Sequence, residues 1–239
     1  MNLLSSTPPA ALVFDGDDTL WSTEQLYDNA RSEAAAVVAG SGLDAGKWEA
    51  LERRIDVDNV ATLGYSTDRF PTSCVQAYED LCRSEGRTPD SFVSERVRQA
   101  ARTVFDRDPP VVSGTRDMLT YLRKRGIRLA LLTKGDSEVQ ARRIESSGLR
   151  ELFDVVQIVQ EKSPAAIRAV VAALGVDVGS VWMVGNSIRS DVLPAIAAGL
   201  RAVWVAAHVW EYERAYDHLV DHRVTTVSSI ADIPALIEA

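Results

Sequence analysis

The sequence predicts an α/β fold in which a helical domain interrupts a parallel sheet. Three observations carry that expectation. Five short apolar runs are β-branched and nearly continuous rather than alternating, as strands buried on both faces are. Helical patterns separate most of these runs. About a hundred residues part the first run from the second, far more than a crossover needs.

Taken in order, the first strand is ALVFD, residues 11–15, and it ends on Asp15. Helical patterns follow at 23–40, 44–58, 72–86 and 90–106, with the turn-like GYSTDRFPTS at 64–73 among them. Residues 22–108 are therefore expected to form an inserted helical domain, and 1–21 with 109–239 a core that DPPVVSG re-enters. The linkers near 19–23 and 107–113 are expected to hinge. A helix over 113–126 starts at Ser/Thr and stops at Gly126, before the strand 127–133. The next helix, 136–148, has Asp136 and Ser137 at its start and Gly148 past its end. After the strand 153–159 comes 163–175, with Ser163 as cap, Pro164 in the first turn and Gly175 as stop. Strands at 181–185 and 201–206 follow, and 223–229 adds an edge strand before the last helix.

With 239 residues, 46% of them hydrophobic, the chain has ample material for a core. A net charge of −8 gives no basic face for nucleic acid or an anionic membrane, so an anionic substrate needs local positive charge or a metal. Cys74 and Cys82, eight apart in a helical pattern, read as reduced thiols of a cytoplasmic protein. No apolar run reaches membrane-spanning length, and MNLLSSTPP, without the charged start and apolar core of a signal peptide, reads as a loose tail.

Ligands of an open parallel sheet bind beyond the carboxyl ends of its strands. Asp15 ends the first strand, with Asp17 two residues on; Thr133 and Lys134 end the second. Lys162 follows the third, and Asn186 and Asp191 follow the fourth. This mixture of acidic and basic groups suits a dianion bound together with a divalent cation. Asp15 can attack phosphorus in line, while Asp17 protonates the leaving oxygen and then activates water. Oxygen ligands suit Mg²⁺, bridging Asp15 and the phosphoryl group with Asp191 completing the shell. Lys162 neutralises the nucleophile or a phosphate oxygen, and Thr133 cradles another.

These residues resemble the haloacid dehalogenase superfamily. DGDDT is similar to its DxDxT motif, and Thr133, Lys162 and GNSIRSD match its second, third and fourth motifs in order and spacing. The resemblance implies a Rossmann-like core with a helical cap inserted after the first motif. It also implies that Asp15 becomes an aspartyl-phosphate and Asp17 acts as acid and base. Mg²⁺ would be held by the Asp15 carboxylate, the Asp17 carbonyl and the fourth-motif acid. The second aspartate marks phosphatases and phosphomutases rather than dehalogenases. Two positions depart from the pattern: Asp18 stands where glycine is usual and reads as turn-forming, and Asn186 stands where aspartate is common. An amide oxygen there can ligate Mg²⁺ or orient its water, and Asp191 becomes the direct ligand.

The expectation is a Mg²⁺-dependent phosphatase for a small phosphorylated metabolite, whose cap closes over the substrate. The alternatives are a phosphomutase of the same superfamily, or a catalytically weak binding or regulatory protein on this fold. Blander readings stand beside these. Asp15 and Asp17 can be turn residues, Lys162 a solvated lysine leading its helix, and Thr133 a strand cap. Lys134 reads first as solvated, and so do His218 and His222, whose i, i+4 spacing lacks a third ligand. Trp21 and Trp210 read as packing residues. In the cap, Tyr65 and Arg69 of GYSTDRF are the candidates to meet a leaving group.

Overall fold

The computed structural model describes residues 8–206, 210 and 221–238. The five apolar runs and the expected edge strand form one parallel sheet of β1 (Ala11–Phe14), β2 (Arg128–Lys134), β3 (Val155–Val159), β4 (Val181–Gly185), β5 (Arg201–Val205) and β6 (Val224–Val227). Their order is β3-β2-β1-β4-β5-β6. The winding reverses between β1 and β4, and there an open sheet leaves a crevice past its carboxyl ends.

Successive side chains of each strand point to opposite faces, and both faces are buried. One face carries Leu12, Phe14, Leu129, Leu131 and Val184 against α6 (Thr115–Lys124), α7 (Ser137–Ser147) and α10 (Ile233–Glu238). The other carries Val13, Ala130, Leu132 and Met183 against α8 (Pro164–Leu174) and α9 (Leu193–Ala198). Each fully buried Leu or Val is worth about 1.5–3 kcal/mol of transfer free energy. This two-sided burial is why the strands read as continuous apolar runs.

Helix punctuation follows the chemistry of the termini. Ser163 accepts the Ala166 N–H, Pro164 occupies the first turn, and Gly175 and Gly148 end α8 and α7 in the left-handed region. The start of α6 differs from the sequence expectation: Gly114 precedes the helix and no side chain caps it. β3 begins at Val155 rather than 153, because Asp154 accepts the Leu129 N–H at 2.8 Å in its side chain and holds the strand's entry.

Contacts divide the chain into two compact units, one running through Thr23 and again from Pro109, the other Glu24–Asp108. The second unit is helical, with α1 (Glu24–Gly40), α2 (Ala45–Asp58), α3 (Val60–Leu63), α4 (Arg69–Ser84) and α5 (Ser91–Arg102). α4 starts three residues before the expected 72, inside the turn-like segment. Pro71 is tolerated there because the first-turn N–H groups have no helical partner. The stretch 90–106 tightens after Arg102 into a 3₁₀ turn, Thr103–Phe105. Trp48, Phe70, Cys74, Val97 and Ala101 centre the unit's core, and both cysteines are unpaired and buried.

An ionic cluster is buried in the same unit. Arg31 Nε donates to Glu52 at 2.8 Å, and one turn along α2 Asp56 pairs with Arg69. Glu52 Oε1 and Asp56 Oδ1 have no hydrogen-bond partner among the described residues.

The segments that carry the chain out of the core and back lie side by side. Ser22 N–H donates to Pro110 O, and Val112 N–H to Leu20 O, both at 2.9 Å, so Trp21 and Val111 pair antiparallel.

Candidate active site

Beyond Phe14 the chain leaves the sheet, with the Asp15 N–H still bonded to Val184 O at 2.9 Å. This backbone tether fixes Asp15 at the crevice beside β4. The turn that follows is tight, and Asp18 is the described residue other than glycine with positive φ, at 57°. Aspartate tolerates that region, and here its carboxylate accepts the Thr23 N–H and hydroxyl at 2.8 and 2.7 Å. Gly16 is required for another reason. A Cβ there would lie 2.5 Å from the Trp21 ring.

Asp15, Lys162 and Asp191 meet in the interior, 5%, 2% and 0% exposed. Lys162 Nζ donates to Asp15 Oδ1 and, at 2.6 Å, to Asp191 Oδ1. Thr19 Oγ1 lies 3.1 Å from Asp15 Oδ2 and 3.3 Å from Asn186 Oδ1, so its single proton is shared between β1's end and β4's. Burial and the Asp191 charge push the Asp15 carboxyl up to about 7 against the pull of Lys162. Burial disfavours the Lys162 charge, but the two carboxylates outweigh it and hold its pKa raised.

Asp191 reaches this point through a turn of π-helix, Ile188–Val192, a local widening of the kind common at functional sites. Its Oδ2 accepts the Ser187 N–H at 3.0 Å. A Cβ on Gly185 would stand 2.2 Å from that oxygen, so the strand must end on glycine for the carboxylate to pack against it. Trp204 on β5 donates its indole N–H to Asn186 O at 2.9 Å and fixes the loop's entry. Lys134 is not simply solvated. It donates to Ser190 Oγ at 2.5 Å and ties β2 to the π turn.

Asp17 has a different set of partners from Asp15 and Asp191. Oδ1 accepts the Trp21 indole N–H at 2.7 Å; Oδ2 accepts Gln140 Nε2 and Arg143 Nη1, both at 2.8 Å. Trp21 is thus a packing residue that also donates. Gln140 Oε1 accepts the Thr133 hydroxyl at 3.1 Å, which joins Thr133 to the same network. Gln140, Arg143, Thr19 and Trp204 are members of the site that the motifs did not point to. A signal for the first two exists: with Ile144 they occupy i, i+3 and i+4 on α7, the spacing of a buried stripe.

Tyr65 and Arg69 belong to the helical unit, where Arg69 is buried and pairs with Asp56. His222 is exposed, and His218 lies outside the described residues. A cavity of about 350 Å³ at the opposite end of the sheet, lined by Pro8, Trp182 and Arg201 among others, holds none of the named site residues.

A Mg²⁺ ion fits the donor set. Among the described residues no three His, Cys, Asp or Glu side chains form a cage of their own. Mg²⁺ does not ask for one: it keeps several waters and takes one or two carboxylates, with oxygen donors throughout. Asp15, Asp191 and the Asn186 amide oxygen are such donors, and each carboxylate oxygen has lone pairs beyond the bonds already made.

A family model described as haloacid dehalogenase-like hydrolase matches residues 9–199. The chain belongs to that family. Of solved structures, a haloacid dehalogenase-like family hydrolase from Xanthomonas campestris superposes with a TM-score of 0.76 at 27% identity, covering 97% of this chain and 96% of that one. Among curated relatives in the family, a phosphoserine phosphatase of Thermus thermophilus is 35% identical over 118 residues, 46% of this chain and 47% of its own. An N-acylneuraminate-9-phosphatase of Homo sapiens is 33% identical over 129 residues, 51% of this chain and 50% of its own. The chain spans about half the length of these curated relatives in the matched regions. Among the described residues, no helix of this chain is long and apolar enough to cross a membrane.

Proposed function

We propose that the chain is a phosphatase of small phosphorylated metabolites, dependent on Mg²⁺ and working through an aspartyl-phosphate on Asp15. The observation that carries this reading is the buried Lys162 ammonium held between the Asp15 and Asp191 carboxylates at the sheet's switch point. Two carboxylates on one lysine leave an excess of negative charge where a phosphate must arrive, an arrangement that makes sense with a cation. Relatives named as phosphatases support the same reading.

Asp15, Asp191, the Asn186 amide and the Asp17 carbonyl would hold Mg²⁺, which supplies charge neutralisation between nucleophile and phosphate. Lys162 keeps the Asp15 carboxylate oriented and balances its charge. An Asp15 oxygen attacks phosphorus, the bond to the leaving oxygen breaks, and Asp17 supplies that oxygen's proton. Water then attacks the same phosphorus, Asp17 takes its proton, and the phosphorus–Asp15 bond breaks to release phosphate. Thr133 donates to a phosphoryl oxygen. The helical unit is proposed to act as a cap that selects among leaving groups, with Tyr65 in its candidate reading loop. A cytoplasmic location fits such substrates.

Hydrolysis of p-nitrophenyl phosphate with and without Mg²⁺ tests the reading. Native protein should turn over only with the metal, and Asp15→Asn should fold while losing all but a trace of the rate. Substantial turnover by Asp15→Asn overturns the covalent route.

A further inference from the structure

Asp17 is gripped from a helix that ordinary motif reading passes over. Arg143 is buried, with 3% of its side chain exposed against 29% for Asp17, and Gln140 is 3% exposed. Neither is placed to meet solvent; both direct a donor at Asp17 Oδ2. Trp21 holds the other oxygen. Three donors on two oxygens leave the carboxylate little freedom of rotation. The amide of Gln140 is itself oriented, because its oxygen accepts from Thr133.

We propose that Gln140 and Arg143 are positioning residues for the reaction, which set the Asp17 carboxyl for proton transfer and link it through Gln140 to the phosphate-cradling Thr133. The proposal rests on the reading of Asp17 as acid and base given above. A hydroxyl has one proton. While Thr133 gives it to Gln140 Oε1, the Gln140 amide keeps its Nε2 aimed at Asp17 Oδ2, and Arg143 holds the same oxygen.

The test uses kcat/KM, which reads the steps through phosphoryl transfer, on two substrates. Phenyl phosphate needs a proton on its leaving oxygen; p-nitrophenyl phosphate needs little help. Gln140→Met and Arg143→Met should each lose about tenfold on phenyl phosphate and less than about twofold on p-nitrophenyl phosphate. Arg143→Lys should recover part of the loss, since an ammonium can still donate. In an Asp17→Asn background, which should itself be slow on phenyl phosphate, neither substitution should matter further, because positioning an amide that transfers no proton has no value. Equal losses on both substrates, or the same loss with and without the Asp17 carboxylate, overturn the positioning role while leaving Asp17 as the acid. A native-like Asp17→Asn on phenyl phosphate overturns the Asp17 reading instead. If Arg143→Met does not fold, the Gln140→Met cycle decides alone.

Discussion

Asn186 is the residue at which this site carries less charge than it could. Its amide oxygen shares the Thr19 hydroxyl with Asp15, which places it within a few ångströms of that proposed carboxylate ligand. An added charge at that range, at an effective dielectric near 20, interacts with a divalent ion by a few kcal/mol before desolvation and screening. Asn186→Asp should therefore bind Mg²⁺ several-fold tighter, a net gain on the order of 1 kcal/mol. Asp191→Asn should cripple binding. Calorimetric magnesium titration of the three proteins checks both, and unchanged affinity in Asp191→Asn would remove that residue from the ligand set. The members of this cluster were legible in the sequence because the strand ends could be located, and a parallel sheet sends its strand ends to one edge. Two of the donors to Asp17 left only a faint mark, the spacing of Gln140 and Arg143 with Ile144 on α7. Which way a polar residue on a helix points depends on the helix's rotation against the sheet, and Gln140 and Arg143 look like solvated side chains until that is known.

Among the elements, α2 carries a buried ionic cluster. Glu52 and Asp56 lie one turn apart, both buried, each sharing an arginine and each with an oxygen unpartnered among the described residues. Burial, aided by Asp56 and opposed by Arg31, pushes the Glu52 carboxyl from 4.5 up to about 7. A raised carboxyl pKa means that the folded state binds the proton more tightly. Its contribution to stability is complete below pH 4.5 and is lost as pH rises through about 7. The loss amounts to roughly 3 kcal/mol. Asp15 contributes with the same sign from the core. Urea unfolding across this range should show native stability falling with pH, and Glu52→Gln should flatten its share of the slope. A curve for Glu52→Gln parallel to the native one would mean that Arg31 keeps Glu52 ionised. None of this was visible in the sequence, where α2 reads as an ordinary charged amphipathic helix. The early start of α4 was hidden for a related reason: Pro71 and its polar neighbours look like a turn, and the first turn of a helix is where such residues are also at home.

At the scale of the whole molecule, the sheet and its insertion were the most legible features, since strands buried on both faces and an over-long connection each leave a plain mark. The insertion's work should show as selectivity. Shortening the segment 107–109 should reduce turnover of the native metabolite more than that of p-nitrophenyl phosphate, which asks little of a cap; equal losses in steady-state rates would make the helical unit a fixed structural element.

The pairing of Ser22 with Pro110 and of Leu20 with Val112 has a consequence for how such a protein can change over generations. From the core's side, eighty-five residues, 24–108, enter and leave through one doorway. They are the loop of a hairpin whose stem is already zipped. The entropy of closing a loop rises only with the logarithm of its length, about 0.6 kcal/mol for each doubling, so the stem scarcely registers what hangs from it. Replacing 24–108 by a few glycines and serines should leave a core that melts cooperatively, as followed by circular dichroism, whereas a core that fails to fold would show that the stem depends on its loop. A scaffold joined in this way can trade one insertion for another and meet a new substrate without rebuilding the strand ends that hold its carboxylates.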